Sequence, residues 1–475
     1  MKAYPLYLNG KWAESTETIS VVNPATEEVF ARVSVVDRAG VKKALEDAQR
    51  ALAGWRGMTG KARGDVLLAI AAEVQKRSEE IARAMVQENG KALAQARGEV
   101  GMTVDHLRWF AEEGRRAYGR IVPTQTAGKR TLVIKSAVGV VGAIAPWNFP
   151  LVLAIRKVAP ALAAGCPVVL KPASQTPVCN LLFAECAHAA GVPAGVFQVI
   201  LGSAKEISEE FLTNPICRKI TFTGSTEVGQ MLIAGAAKQV KMLSLELGGH
   251  APALVFDDAD LNKAVEGMII AKFRNTGQSC IAANRIYVQE GIYDRFVEAF
   301  VAKARALKVG NGLEDGVEIG ALVNKKGLDF ALGQIEDAVK KGGKVLCGGK
   351  RHGEKGFFLE PTVIADVAEG SACMKEETFA PVAPIVKFKT EEEGIEKANA
   401  SPFGLAAYAF TGSLDRAFRV MERLEAGTIG INDGAPTTSN APFGGMKMSG
   451  WGRELGTEGL DSFLETKHVS LGVQE

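Results

Sequence analysis

A cysteine attacks a carbonyl only as its thiolate, and the attack leaves a tetrahedral oxyanion, so such a site needs a setting that lowers the thiol pKa and donors aimed at the oxyanion. Of the seven cysteines in the chain, Cys280 is the candidate nucleophile. It follows Asn275-Thr276-Gly277-Gln278-Ser279, a polar and glycine-bearing stretch, whereas Cys166 and Cys186 sit among apolar residues. Glu246 stands 34 residues earlier, between leucines and next to Gly248 and Gly249. Partial burial there would raise its pKa toward values useful to a general base, although a buried, paired glutamate fits the same pattern. Asn148, in the stiff turn Pro146-Trp147-Asn148-Phe149-Pro150, could offer an amide to the oxyanion, or simply cap that turn.

Two further stretches bear on a phosphorylated ligand. In KITFTGSTEVGQMLIAGAA a β-branched run ends at Gly224 and Ser225 and a helix pattern follows. Free amides and the helix dipole at such a start favour a phosphate, and Gly224 permits close approach. The spacing is not GxGxxG, and a helix capped by Ser225 or Thr226 explains the same residues. The second stretch, Lys171-Pro172-Ala173-Ser174, follows the strand-like PVVL, at the strand end where open α/β sheets bind ligands. A serine at 174, unlike an acidic residue, tolerates either a ribose 2′-hydroxyl or a 2′-phosphate; a solvated lysine at a strand end is the plainer reading of Lys171.

The elements that must position these residues follow from length and pattern. A chain of 475 residues exceeds one ordinary domain, so at least two packed units are expected. Lys plus Arg number 56 and Asp plus Glu 54, a net +2 that implies no bulk attraction to nucleic acid or anionic lipid. Hydrophobic residues make up 47% and charged residues 23%, the ordinary globular range. The uncharged run Ser136 to Ile155 is long enough to span a bilayer, but its prolines, glycines and Asn148 suit a buried strand and turn. The N-terminus lacks a secretory apolar stretch, so the cytoplasm is the expected compartment. The odd, scattered cysteines without CxxC argue against disulfides and against a metal site.

Arg38 to about Tyr118 reads as mostly helical. Strand-like runs then begin at Thr131, Val138, Pro167, Phe197, Lys219 and Met242, separated by helical segments, which is a βαβ series. A second series starts near Ala253 and includes Arg285–Gln289 and Thr428–Asn432, placing a boundary near Gly248. The expected class is α/β with a parallel sheet and two facing domains.

Taken together, PWNFP, KPAS, FTGSTEVG, LELGGH, GQSC, EETFAPV and the PFGG–MKMSG–WGRELG stretch, in this order, resemble the aldehyde dehydrogenase superfamily along essentially the whole chain. The resemblance implies a Rossmann-like cofactor domain (1–118 and 137–247), an α/β catalytic domain (248–445) and a small β oligomerisation flap (119–136 and 446–475). It implies that Cys280 forms a thiohemiacetal, that Asn148 and the Cys280 amide hold the oxyanion, that hydride passes to a nicotinamide, and that Glu246 activates water for thioester hydrolysis. Trp147, Lys171, Ser174, Gly224, Ser225 and Leu247 would line the cofactor, Glu377 would hold the nicotinamide ribose, and Phe379 would pack near the ring. Ala380 departs from the glycine usual in EETFGPV.

Within the superfamily the chain looks most like the bacterial NADP-type succinate-semialdehyde dehydrogenases, through AIRKVAPALAAGCPVVLKPASQTP, KFRNTGQSC, NRIYVQEGIYDRF and FGLAAYAF. By that likeness Arg156 and Arg274 hold the far carboxylate of the substrate; guanidinium forks bind carboxylates in pairs of hydrogen bonds, though each arginine alone reads as a surface charge. The loop containing Thr438 and Ser439 aligns with a hydroxyl near that carboxylate, but INDGAPTTSNAPFGG departs from the usual wording. The implied cofactor is NADP, with NAD also possible, and the implied assembly a homodimer or homotetramer. Glutarate semialdehyde and lactaldehyde are the alternative substrates. A non-redox alternative is a thiol hydrolase pairing Cys280 with a histidine among His106, His188, His250, His352 and His468.

Overall fold

A computed structural model describes residues 2–473. Its central element is an eight-stranded sheet ordered Gly450–Trp451, Met242–Glu246, Cys217–Thr223, Val140–Ile144, Val168–Lys171, Phe197–Val199, Leu6–Leu8 and Lys11–Ala13. The five strands between Met242–Glu246 and Phe197–Val199 in this order pair in parallel. Val140–Ile144 is the first of the five in the chain and lies in the middle, so successive crossovers run first to one side and then to the other. The carboxyl ends on either side of that strand form the crevice where doubly wound sheets bind ligands.

The uncharged run from Ser136 to Ile155 supplies this central strand and its turn, then enters the helix Val152–Ala164, whose residues are all buried. That explains its composition without a bilayer, and no helix among the described residues is long and apolar enough to cross a membrane. The helix stops at Gly165, whose φ of 96° is left-handed and open to glycine at little cost. Helices Arg38–Gly57, Gly60–Lys76, Ser78–Asn89 and Leu93–Glu113 pack around this half. The first shows why they form: Asp37 accepts the Gly40 amide at 2.8 Å as an N-cap, and Val41, Leu45, Ala48, Leu52 and Trp55 recur at helical spacing on the buried side.

The second large sheet has seven strands, ordered Lys344–Cys347, Thr362–Ala365, Val382–Phe388, Ala283–Gln289, Ala251–Val255, Ala406–Phe410 and Thr428–Ile431. All its pairings are parallel except that of Lys344–Cys347. A three-stranded antiparallel unit joins Arg120–Val122, Lys129–Ala137 and Leu464–Gly472, the last two in register from Leu464 opposite Ala137 to Gly472 opposite Lys129. The expected oligomerisation segment 446–475 is therefore divided. Gly450–Trp451 lies in the eight-stranded sheet, antiparallel to Met242–Glu246, because a left-handed glycine at 450 (φ 124°) lets the backbone close on Leu245, and the strand Leu464–Gly472 is what pairs with Lys129–Ala137.

Candidate active site

Each candidate catalytic residue sits where a regular element ends. Asn148 follows the central strand Val140–Ile144, and its turn is tied down at three points. Asn89 Nδ2 donates to the Trp147 carbonyl at 2.9 Å, while Lys91 Nζ and Asn275 Nδ2 donate to the Asn148 carbonyl at 2.9 and 2.8 Å. The Asn148 side chain donates to the Gln278 carbonyl at 3.2 Å, which joins this turn to the cysteine loop. Glu246 is the last residue of Met242–Glu246, opposite Thr223, and its carbonyl accepts the Gly224 amide at 3.0 Å.

Cys280 follows the helix Leu261–Phe273 by a short, strained run. Asn275 (φ 54°), Thr276 (φ 57°) and Gly277 (φ 72°) are all left-handed, and a Cβ at Gly277 would lie 2.2 Å from the Ala380 carbonyl oxygen. Glycine is required there both for conformation and for space. The Ala380 departure is tolerated by its backbone conformation. The left-handed residue of that turn is Phe379 (φ 51°), so an alanine methyl at 380 meets no backbone penalty.

Two cavities meet at the sulfur. One, of about 210 Å³, is lined by Trp147, Asn148, Gly224, Ser225, Leu247 and Glu377 among others, with Phe379 and Cys280. Trp147 and Phe379 pack edge to face, ring centroids 5.4 Å apart. The other, of about 30 Å³, has Cys280, Arg156, Arg274, Phe149, Phe443 and Thr437 in its wall. The Arg156 guanidinium lies over the Phe443 ring at 4.7 Å and that of Arg274 over Phe149 at 5.5 Å. Arg156 Nε is buried and has no hydrogen-bond partner, and no acidic side chain among the described residues lines this cavity.

Some expected residues stand elsewhere. Lys171 and Ser174 lie at the carboxyl end of the neighbouring strand, outside the wall of the 210 Å³ cavity; Lys171 Nζ donates to the Pro172 carbonyl at 3.1 Å. Thr438 is exposed and donates to Asn440 Oδ1 at 2.8 Å, and Ser439 is buried away from the small cavity's wall. The loop hydroxyl that reaches the cavity is Thr437's, and it too is buried without a partner. A single-residue shift in a loop with no period is beyond what sequence pattern resolves. Ser225 is both an N-cap, accepting the Val228 amide at 3.4 Å, and a wall residue. No histidine among the described residues lines either cavity, and His250 is instead bonded to the Cys373 carbonyl at 3.2 Å. The hydrolase arrangement thus lacks its base.

Burial dominates the electrostatics. It pushes the Cys280 thiol up to about 12, helped by the Glu377 carboxylate and opposed by Arg156. It raises Glu377 to about 8, with the Gly249 amide, a donor at 3.3 Å, pulling the other way. Glu246 is raised well above an ordinary carboxyl group by burial and then by Glu454, against Lys157 and Arg156. Its Oε2 is buried without a partner, and a Cβ at Gly444 would come within 2.8 Å of Oε1, so the glycine leaves the carboxylate room. Glu246 lies behind the cavity walls rather than on them, beside a pair that sequence reasoning missed: Lys157 Nζ is 2.5 Å from Glu454 Oε1 and donates to Thr223 at 2.6 Å. The signal was available, since Lys157 adjoins Arg156 on an apolar helix and Glu454 lies within WGRELG.

Six cysteines are buried and only Cys280 is partly exposed, so alkylation reports on it. Iodoacetamide labelling of the ligand-free protein, followed by peptide mass spectrometry, should accelerate with pH without levelling off up to about pH 10, because the thiol stays protonated well above the usual ~8.5. A plateau centred near the ordinary thiol value would show that burial does not control this sulfur.

Comparison with known proteins accords with this geometry. The aldehyde dehydrogenase family profile matches residues 12–469. A glutarate-semialdehyde dehydrogenase of Pseudomonas putida is 49% identical over 98% of this chain and 97% of its own. An NADP(+) succinate-semialdehyde dehydrogenase of Escherichia coli is 48% identical over 98% and 97%. The crystal structure of a succinate-semialdehyde dehydrogenase from Burkholderia pseudomallei superimposes with a TM-score of 0.98 at 45% identity, covering 99% of this chain and 98% of that one. With its fold, its sulfur at the junction of two cavities and this likeness over nearly its full length, the chain belongs to the aldehyde dehydrogenase family and is an NAD(P)-dependent aldehyde dehydrogenase.

Proposed function

We propose that the substrate is a short aldehyde bearing a carboxylate at its far end, succinate semialdehyde first and glutarate semialdehyde second, and that NADP is the preferred cofactor. The observation that carries the substrate reading is the pair Arg156 and Arg274 in the small cavity at Cys280, without a carboxylate in its wall. The buried Arg156 guanidinium, with the partly buried Arg274 beside it, calls for an anion, and a substrate carboxylate supplies it with paired, charge-assisted hydrogen bonds. The unpartnered Arg156 Nε and Thr437 hydroxyl are donors available to it.

In this reading the aldehyde carbon faces Cys280, and Asn148 Nδ2 with the Cys280 amide takes the developing oxyanion. The larger cavity suits a nicotinamide nucleotide by its chemistry: first-turn amides beside Gly224 and Ser225, a carboxyl group at Glu377 able to meet ribose hydroxyls, and the aromatic pair of Trp147 and Phe379. Bound there, NAD(P) supplies the two-electron acceptor that turns the thiohemiacetal into a thioester. Glu246, a stronger base than an exposed carboxylate, then takes the proton from the water that releases the acid. That glutamate also argues against transfer of the acyl group to coenzyme A.

The β unit formed by Arg120–Val122, Lys129–Ala137 and Leu464–Gly472 we assign to subunit contact. Ile121, Ile134 and Leu471 are exposed on it, and its outer strands would otherwise be open edges. Ile121→Asp with Ile134→Asp should lower the assembly state seen by sedimentation velocity; an unchanged sedimentation coefficient would refute the assignment.

Arg156→Ala or Arg274→Ala should raise KM for succinate semialdehyde by a factor corresponding to about 2–5 kcal/mol, and change KM for a neutral aldehyde such as propanal far less. Equal losses on both would remove the carboxylate clamp. For the cofactor, Ser174→Glu should lower kcat/KM with NADP by more than tenfold relative to NAD, since the new carboxylate would repel a 2′-phosphate; an unaltered NADP-to-NAD ratio would place the phosphate elsewhere.

A further inference from the structure

The Asn148 carbonyl accepts two buried donors, and one of them belongs to an ion pair that has no surface to serve. Lys91 and Glu99 are both fully enclosed, with Lys91 Nζ 2.6 Å from Glu99 Oε2. The same ammonium donates to the Asn148 carbonyl at 2.9 Å and lies over the Phe149 ring at 4.5 Å. The other oxygen of Glu99 accepts the Leu151 and Val152 amides at 2.9 and 3.1 Å. Those amides open the helix Val152–Ala164, which carries Arg156 and Lys157.

We propose that the Lys91–Glu99 pair is a positioning device for the reaction: it fixes the peptide plane from which the Asn148 amide is aimed, and ties that plane to the helix bearing the carboxylate-binding Arg156. Neither residue touches the reacting atoms. With Lys91 and Asn275 on its two lone pairs, the Asn148 carbonyl cannot turn, and the side chain is left facing the Gln278 carbonyl beside the sulfur. One Glu99 oxygen anchors the ammonium and the other the helix, so the distance from oxyanion donor to guanidinium is set by a single rigid carboxylate. Stability alone does not account for the arrangement. Enclosing two charges costs as much desolvation as their attraction returns, and apolar residues of similar volume commonly serve a core as well or better. Burial does act on the lysine, lowering its pKa, while Glu99 supports the charged form.

The inference rests on the oxyanion role given to Asn148, and a double-mutant cycle separates the two. Lys91→Met with Glu99→Gln removes both charges together, and the glutamine Oε1 still accepts from Leu151 and Val152. This pair of changes should lower kcat for aldehyde oxidation about 10- to 100-fold, since a misaimed oxyanion donor should cost less than the roughly 100- to 1000-fold of one removed outright. Iodoacetamide alkylation of Cys280, which forms no oxyanion, should stay within about twofold. In an Asn148→Ala background the same two changes should cost less than about threefold more, because the group they position is gone. An equal factor in both backgrounds, or alkylation falling in step with kcat, would overturn the positioning role. Full kcat in Asn148→Ala alone would overturn the oxyanion reading and this inference with it. Should the double variant fail to fold, Lys91→Arg keeps the charge and displaces the donor: a kcat loss that vanishes in the Asn148→Ala background supports the role, and an additive loss refutes it.

Discussion

Removing Cys280 and Glu377 from water where two cavities meet, and Glu246 behind their walls, raises the cost of ionising each, and the balance of charge around them decides what the site can do. All three are displaced toward their neutral forms, with burial as the first cause. A neutral thiol and neutral carboxyl groups can share a small volume that three anions could not. The cations nearby, Arg156 on the substrate side and Lys157 behind Glu246, then set where negative charge can appear.

The fold makes that junction possible by ending its parallel strands in the same place. The turn after Val140–Ile144 supplies Asn148, the end of Cys217–Thr223 supplies Gly224 and Ser225, and the end of Met242–Glu246 supplies Glu246. The second sheet contributes Cys280 just before its strand Ala283–Gln289, and Glu377 and Phe379 just before Val382–Phe388. Strand ends are rigid on one side and free on the other, which lets a backbone amide or a short side chain be aimed without a long, mobile stem. The strained run Asn275 to Gly277 is the cost of presenting a sulfur from such an end.

Much of this was legible in the sequence, and what was missed has physical reasons. Strands buried on both faces, such as Val168–Lys171 and Ala251–Val255, read as continuous apolar runs, so the five parallel strands of the first sheet emerged with boundaries good to within a few residues, whereas in the second sheet Thr362–Ala365, Val382–Phe388 and Ala406–Phe410 did not emerge. Cys280, Asn148 and Glu246 stand beside glycines and prolines whose only purpose is a special turn, and that made them visible. The edge strands did not emerge. Leu6–Leu8, Lys11–Ala13 and Gly450–Trp451 are two or three residues long, too short for any periodicity, and are strands only because a neighbour offers them a free edge. The polar pairs were hidden for another reason. Lys91 and Glu99 look like ordinary surface charges until tertiary packing encloses them, whereas Lys157 and Glu454 were marked only by an apolar helix and the WGRELG stretch.

Enclosure also bears on how selectivity arises in the small cavity. Arg274 adds positive charge beside the buried Arg156, and no acidic side chain stands in the cavity wall, although Glu454 and Glu246 support the Arg156 charge from outside it. Their aromatic neighbours Phe443 and Phe149 ease the burial of both guanidinium groups but satisfy none of their hydrogen-bond donors. On the proposed reading, an aldehyde without an anionic tail would leave the Arg156 Nε and the Thr437 hydroxyl unpaired, whereas a carboxylate would meet them. Discrimination of this kind comes less from attraction to the right substrate than from the penalty on the wrong one, which is why a site built around polar groups rejects their absence far more strongly than an apolar pocket rejects a missing methylene.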